Sequence, residues 1–153
     1  MKRSMRLEKF AELNAGLENN AGAALATAQA LFEAQYSQLE KLEAYRVEYQ
    51  AQLSEKLSNS DSASVIYDYH CFIASLNSAI SKQTELVKQY AKKVEASRAQ
   101  WIQRKQDVTK MNRAVDNIKR REVAIERRQE QIESDELSSN KMLRSQKADG
   151  FDI

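Results

Sequence analysis

A mostly apolar stripe from Ile66 to Ile132 recurs at alternating steps of three and four residues, and it constrains the fold more than any other feature. A repeat of 3.5 residues keeps a stripe in line only when the helix supercoils around a partner. A second stripe with the same spacing runs from Leu25 to Leu53. The two stripes predict two long helices that pack against each other as a coiled coil.

The composition favours long helices with a solvated surface over a globular core. Proline is absent, there are three glycines, and charged residues make up 30% of the chain. No apolar run is long enough for a membrane span, and residues 1–10 lack the apolar region of a secretory signal. The only cysteine, Cys71, excludes an internal disulfide and fits a reducing compartment. We therefore expect a cytoplasmic protein.

A short polar segment, residues 58–64, separates the two stripes. Its side chains supply helix N-caps, and Ser60, Asp61 or Ser62 is the expected cap of the second helix. Such a short connection makes the helices antiparallel neighbours. We predict an all-α fold, a coiled-coil hairpin of two long antiparallel helices in which the second is longer. The predicted bounds are a single domain over 1–133 (helix one about 5–57, turn 58–64, helix two about 65–133) and a flexible tail over 134–153.

Side-chain size predicts the register of the hairpin. The bulky Trp101 falls opposite the smallest stretch of the chain, residues 21–24, and this close approach is a reason to tolerate Gly16 and Gly22 within helix one. Leu7 then falls opposite Val115, beyond which helix one has ended and helix two continues alone. Upstream of Leu25 the stripe is predicted to continue through Leu7, Phe10, Leu17 and Ala21, with a stutter where two steps of four follow each other.

The sequence contains no recognisable catalytic apparatus. The phosphate-binding G-x-x-x-x-G-K-[ST] loop is missing. His70 and Cys71 are adjacent, so they point in different directions on a helix, and no second histidine or cysteine could complete a metal site. We expect a non-enzymatic protein without a catalytic residue, cofactor or metal.

The first candidate binding surface lies on one flank of the seam near the turn. On helix one its residues are spaced four, three, four, and helix two repeats that spacing opposite them. An exposed aromatic patch that exceeds the needs of a two-helix seam is a candidate docking site. A broad local core and a four-helix homodimer are the alternatives. The residues of this first surface are Gln38, Leu42, Tyr45, Tyr49, Phe72, Leu76, Ala79 and Gln83.

The second candidate surface is the part of helix two that outlasts its partner. Isoleucines continue the stripe there and cations surround them, which suggests a partner chain of apolar and acidic character. A solvated, fraying helix end is the alternative. Nucleic acid is disfavoured because glutamates interrupt the cations and no aromatic residue lies among them. The residues of this terminal surface are Ile118, Lys119, Arg120, Arg121, Ile125, Arg127, Arg128 and Ile132.

Three segments resemble the flagellar export protein FliJ family. They are residues 39–49, 67–80 and 101–105, which carry the strings L-x-x-Y-x-x-x-Y, F-I-x-x-L-x-x-A-I and W-x-x-x-K. The resemblance implies an antiparallel stalk, similar to the shaft of rotary ATPases, that enters the pore of a hexameric export ATPase. It also implies contact with the cytoplasmic domain of the membrane export gate and with export chaperones.

The resemblance also implies roles for the two surfaces. The first surface, which we call the gate flank, would face the export gate, and the terminal surface would lie inside the ATPase ring. Gln83 stands where some relatives have histidine, so a pH-dependent role at that position is not expected here. We expect a chain that is monomeric alone, does not insert into the membrane, and associates peripherally with the inner membrane at the flagellar base. The alternative functions are a coiled-coil adaptor or export chaperone that does not act on the ring, and a scaffold that homodimerises through the gate flank.

Overall fold

The computed structural model describes the backbone of residues 2–151 and the side chains of residues 2–149. This part of the chain contains two helices, α1 (Arg3–Ser58) and α2 (Ala63–Phe151), and no strand. The predicted all-α fold with a longer second helix is confirmed. Two compact units can be distinguished: a turn unit (Gly16–Lys105) and a terminal unit (Met1–Ala15 with Gln106–Ile153).

The seam between the helices consists of the predicted stripe residues. The hydrophobic residues that are most buried all belong to the two stripes; they are Leu39, Leu53, Ile73, Leu76, Ile80, Val94 and Val115. Their exposed fractions of 6–9% are what a two-helix seam allows, since each helix can cover only one side of its partner. The 3.5-residue period therefore identified these seven core residues correctly.

The turn ends α1 with a hydrogen-bonding pattern known as the Schellman motif. Ser60 has a positive φ of 56°, the Ser60 N–H donates to the Leu57 carbonyl (3.3 Å), and the Asp61 N–H donates to the Lys56 carbonyl (3.1 Å). Lys56 and Asp61 also form an ion pair at 3.5 Å. The left-handed conformation at Ser60 reverses the chain within a few residues.

The structure selects Ser62 among the three expected N-cap residues of α2. The Ser62 Oγ accepts a hydrogen bond from the Val65 N–H (3.4 Å), and the Ser62 carbonyl accepts one from the Ile66 N–H (3.2 Å). Because α2 starts at Ala63, the turn is shorter than the predicted 58–64.

α2 continues to Phe151, well past the predicted end at residue 133. Between residues 134 and 149 there is no proline or glycine, and Glu, Leu, Lys, Met, Arg and Gln are frequent, so nothing in the sequence terminates the helix once it has begun. All side chains over 134–149 are exposed. The flexibility of this segment stays a prediction; its helical conformation was not predicted.

Phe10 is a second departure from the predicted pattern. It was placed on the seam stripe, but its side chain is 57% exposed, whereas the nearby Ser4 is 4% exposed. The start of α1 thus buries a small polar residue and exposes a large apolar one. The burial of Ser4 reflects its hydrogen bonds with α2, described below.

Candidate functional site

The gate flank lies wholly within the turn unit and is built around an aromatic cluster. The rings of Tyr49 and Phe72 contact each other across the two helices, with centroids 4.4 Å apart and planes inclined by 48°, and the centroid of the Tyr69 ring lies 6.1 Å from that of Tyr49. The Tyr69 hydroxyl and the Gln52 side-chain oxygen are 3.3 Å apart, which fixes the ring at the edge of the cluster. These contacts hold the aromatic rings of both helices in one place.

The eight residues of the gate flank differ in how much surface they present. Tyr45 and Phe72 are the most prominent, with 52% and 43% of their surfaces exposed, and Gln38 is exposed beside them. Leu76 is buried in the seam. The others, which are half-buried, are Leu42, Tyr49, Ala79 and Gln83. A partner that binds this flank would therefore contact mainly Gln38, Tyr45 and Phe72.

Gln83 has a structural role within the seam. Its side-chain amide donates to both the backbone carbonyl and the side-chain oxygen of Gln35, at 2.9 Å and 3.0 Å. Two interhelical hydrogen bonds at one seam position specify which residues of the two helices lie opposite each other. We assign Gln83 to setting the register rather than to direct recognition.

The terminal unit contains a hydrogen-bonded clamp between the start of α1 and the side of α2. The Glu122 carboxylate accepts one bond from the Ser4 backbone N–H (3.1 Å) and one from the Ser4 hydroxyl (2.6 Å). The first N–H groups of a helix have no partner within the helix, and its N-terminus favours negative charge. α1 has no acidic residue in its first turn, so Glu122 supplies the missing carboxylate from α2.

Two ion pairs flank this clamp. The Lys2 ammonium lies 2.6 Å from Glu126, and Lys119 pairs with Glu8. The side-chain and backbone hydrogen bonds from Ser4 lower the pKa of Glu122, assisted by the charges of Lys2 and Lys119 and opposed by partial desolvation. Conversely, the hydrogen bond to Glu8 and the negative charge of Glu8 raise the pKa of Lys119. The hydrogen bond to Glu126 and the charge of Glu126 raise the pKa of Lys2 in the same way.

These contacts correct the predicted register of the terminal unit. Leu7 was expected opposite Val115, but Glu8 pairs with Lys119, which is about one helical turn further along α2. Ile118 is consequently half-buried, not free of α1 as predicted, and Lys119 is already engaged in an ion pair. Within the described residues, Glu126 is the last position of α2 bonded to the N-terminal end of the chain.

The remaining terminal-surface residues are all exposed. Ile125 and Ile132 have exposed fractions of 58% and 49%, and the cations beside them are Arg120, Arg121, Arg127 and Arg128. Every side chain from 127 to 149 is exposed, a helical length of about 35 Å. Further large apolar residues lie along it, namely Leu137, Met142 and Leu143. Ile125 and Ile132 are thus largely exposed within the described chain.

Sequence reasoning missed the clamp because neither of its residues fits an apolar pattern. Glu122 occupies a stripe position, and a charged residue there was the available signal that something other than an apolar side chain lies opposite. Ser4 gives no signal of its own, since the pairing joins residues that are far apart in the sequence.

Among residues 2–149, no three His, Cys, Asp or Glu side chains come together as metal ligands. Cys71 is an exposed free thiol. None of the described helical segments is apolar over a stretch long enough to cross a membrane.

A comparison with models of protein families shows which family the chain belongs to. Residues 1–147 match the family model described as Flagellar FliJ protein. The chain belongs to the flagellar FliJ protein family. No significant match to a curated protein or to a solved structure was found.

Membership of the FliJ family makes this chain a flagellar export-associated protein, and the family is a non-catalytic component of export. The matched range includes both the gate flank and the terminal surface, as well as most of the exposed helix that follows. The resemblance inferred from three short strings is confirmed over nearly the whole chain.

Proposed function

We propose that this FliJ-family protein is a non-enzymatic stalk of a flagellar type III export apparatus. Its exposed α2 terminus inserts into the pore of a hexameric export ATPase, and its gate flank contacts the cytoplasmic domain of the membrane export gate. The protein is cytoplasmic, is held at the inner membrane at the flagellar base by these partners, and associates with export chaperones.

The exposed end of α2 is the observation that carries the proposal. A helix that extends beyond its partner while retaining exposed isoleucines and arginines presents more apolar and cationic surface than a solvated helix end requires. Ile125 and Ile132 lie one heptad apart, so both face the same side of the helix. A pore lined by apolar and acidic side chains complements such a surface.

The register suggests where to truncate the chain in a test. Removing residues 127–153 deletes Arg127, Arg128 and Ile132 together with the exposed helix that follows them. It leaves the bonds of Ser4 with Glu122 and of Lys2 with Glu126. The truncated chain should retain its melting temperature while losing stimulation of the purified export ATPase. A deletion after Arg113 would be uninformative, since it removes the clamp as well.

A charge-reversal variant tests the same surface without shortening the helix. Arg120, Arg121 and Arg127 changed together to glutamate should abolish ATPase stimulation through repulsion. A matched control, Lys88, Lys92 and Lys110 changed to glutamate, alters the net charge equally at other exposed positions. Stimulation by the unmodified chain should also fall with rising salt, because exposed charges are screened over about 8 Å at physiological ionic strength.

The results separate the stalk from the adaptor function. Full stimulation by the chain lacking 127–153 would contradict insertion of this end into the ring. If that same chain still bound export cargo or its chaperones, the adaptor function would be supported instead. Equal loss of stimulation in the reversal variant and its control would indicate a general charge effect, which also contradicts the proposal.

A further inference from the structure

The turn unit has a second apolar groove on the same side of the seam as the gate flank but further from the turn. Its lining residues include Ala24, Thr27 and Leu31 from α1 and Tyr90, Lys93 and Ala96 from α2. The groove is open, with a volume of about 440 Å³, and Leu31 is 46% exposed at its edge.

Heptad spacing places this groove in line with the gate flank. Residues seven apart lie on one side of a coiled-coil helix. On α1, the line of Tyr45 and Gln38 continues through Leu31 to Ala24; on α2, the line of Phe72 and Ala79 continues through Leu86 to Lys93. The apolar side of the turn unit is therefore longer than the gate flank alone.

The charge on this side of the unit is exclusively positive near the groove. α1 has no charged residue from Asn19 to Phe32. The groove's only charged lining residue is Lys93, whose ammonium lies 4.8 Å from the centroid of the Tyr90 ring. The groove on the opposite side of the seam differs, because it is lined by Glu33, Glu95 and Arg98.

We propose that the groove of Ala24, Leu31 and Lys93 binds an amphipathic helix of another protein, one that carries leucine-sized side chains bordered by carboxylates. Small side chains at Ala24 and Ala96 let a helix approach closely, so that its apolar residues lie over Leu31. Carboxylates on that helix then face Lys93. A second copy of this chain is a poorer occupant, because the groove of another copy offers a lysine and no carboxylate to face Lys93. The groove's role does not depend on the stalk function.

The test uses the full-length chain labelled with ¹⁵N and a three-heptad helical peptide with leucine in its seam positions and glutamate beside them. Amide shifts at 24–31 and 90–97 should change on titration. Leu31→Glu should weaken binding at these residues by about tenfold or more, since it places a carboxylate under the peptide's apolar face. Ala30→Glu is the matched control: it adds the same charge at the adjacent exposed position outside the groove and should bind as the unmodified chain.

Reversing the charge at Lys93 provides a second test, and misfolding of the variant could not produce its expected result. Lys93→Glu should weaken binding of the glutamate peptide and strengthen binding of the same peptide with lysine in place of glutamate. Shifts confined to other regions, or equal binding by Leu31→Glu and Ala30→Glu, would overturn the proposal. Concentration-dependent dimerisation in sedimentation that Leu31→Glu abolishes would also overturn it, and would assign the groove to a second copy.

Discussion

The carboxylate of Glu122 accepts two hydrogen bonds from Ser4, one from its backbone N–H and one from its hydroxyl. A residue near the end of the paired part of α2 thus caps the first turn of α1. It fixes the place where α1 starts beside α2, and so determines how much of α2 is left uncovered by α1.

We predict that the clamp weakens in acid. Because the folded-state pKa of Glu122 is lowered, its contribution to stability is present above the ordinary carboxylate range and is lost as the pH falls through the lowered pKa. The raised pKa values of Lys2 and Lys119 act only at the alkaline end, where their contributions are lost above the ordinary lysine range. Hydrogen-exchange protection at residues 3–8 should therefore be constant near neutral pH and decline in acid.

Substitution of Ser4 should weaken the clamp at neutral pH, as acid does in the unmodified chain. Ser4→Ala removes the hydroxyl donor and should reduce protection of the first turn of α1 by about fivefold, in the range of lost helix caps. Glu122→Gln should remove the dependence on pH, whereas Glu130→Gln, at an exposed position, should leave it unchanged. Unaltered protection in Ser4→Ala would contradict the role of the clamp.

The two helical glycines should respond differently to alanine. A methyl group added at Gly16 meets no atom within 4 Å, so Gly16→Ala should raise the free energy of unfolding by about 1 kcal/mol. At Gly22 the new methyl would lie 3.3 Å from Trp101 Nε1, so the same gain should be offset by displacement of the ring. Urea denaturation measures both, and tryptophan fluorescence should shift only in Gly22→Ala.

The sequence could predict the turn unit because its seam is apolar and its largest and smallest residues complement each other. Trp101 approaches Gly22, as side-chain size predicted, but the explanation that applied to Gly22 does not hold for Gly16, which meets no close neighbour. In the terminal unit the same method chose Phe10 for the seam. The actual contact is polar and long-range, between Ser4 and Glu122, and apolar periodicity contains no information about such a pair.

A glycine in the turn should stabilise the protein. Ser60 adopts a φ of 56°, a left-handed conformation that costs an L-residue about 1 kcal/mol and costs glycine little. Ser60→Gly should raise the free energy of unfolding by about 0.5 kcal/mol, since greater freedom in the unfolded chain offsets part of the gain. Ser64→Gly, within the first turn of α2, is the control and should lower it by about 0.5 kcal/mol. A loss of stability in both variants would contradict the assigned strain.

The last prediction separates recognition from stability on the gate flank. Tyr45 is 52% exposed, so Tyr45→Ala should change the free energy of unfolding by no more than about 0.5 kcal/mol. Phe72 is also exposed, but its ring packs on Tyr49 with centroids 4.4 Å apart, so Phe72→Ala should cost about 1 to 2 kcal/mol. If the flank binds the cytoplasmic domain of the export gate, both variants should weaken that binding in calorimetric titration, and Tyr45→Ala should do so without any change in melting. Since Val47 is 66% exposed on the same helix and outside the flank, Val47→Ala serves as the control and should bind normally. Unchanged gate binding by Tyr45→Ala would contradict the assignment, because loss of structure alone could then account for an effect seen only in Phe72→Ala.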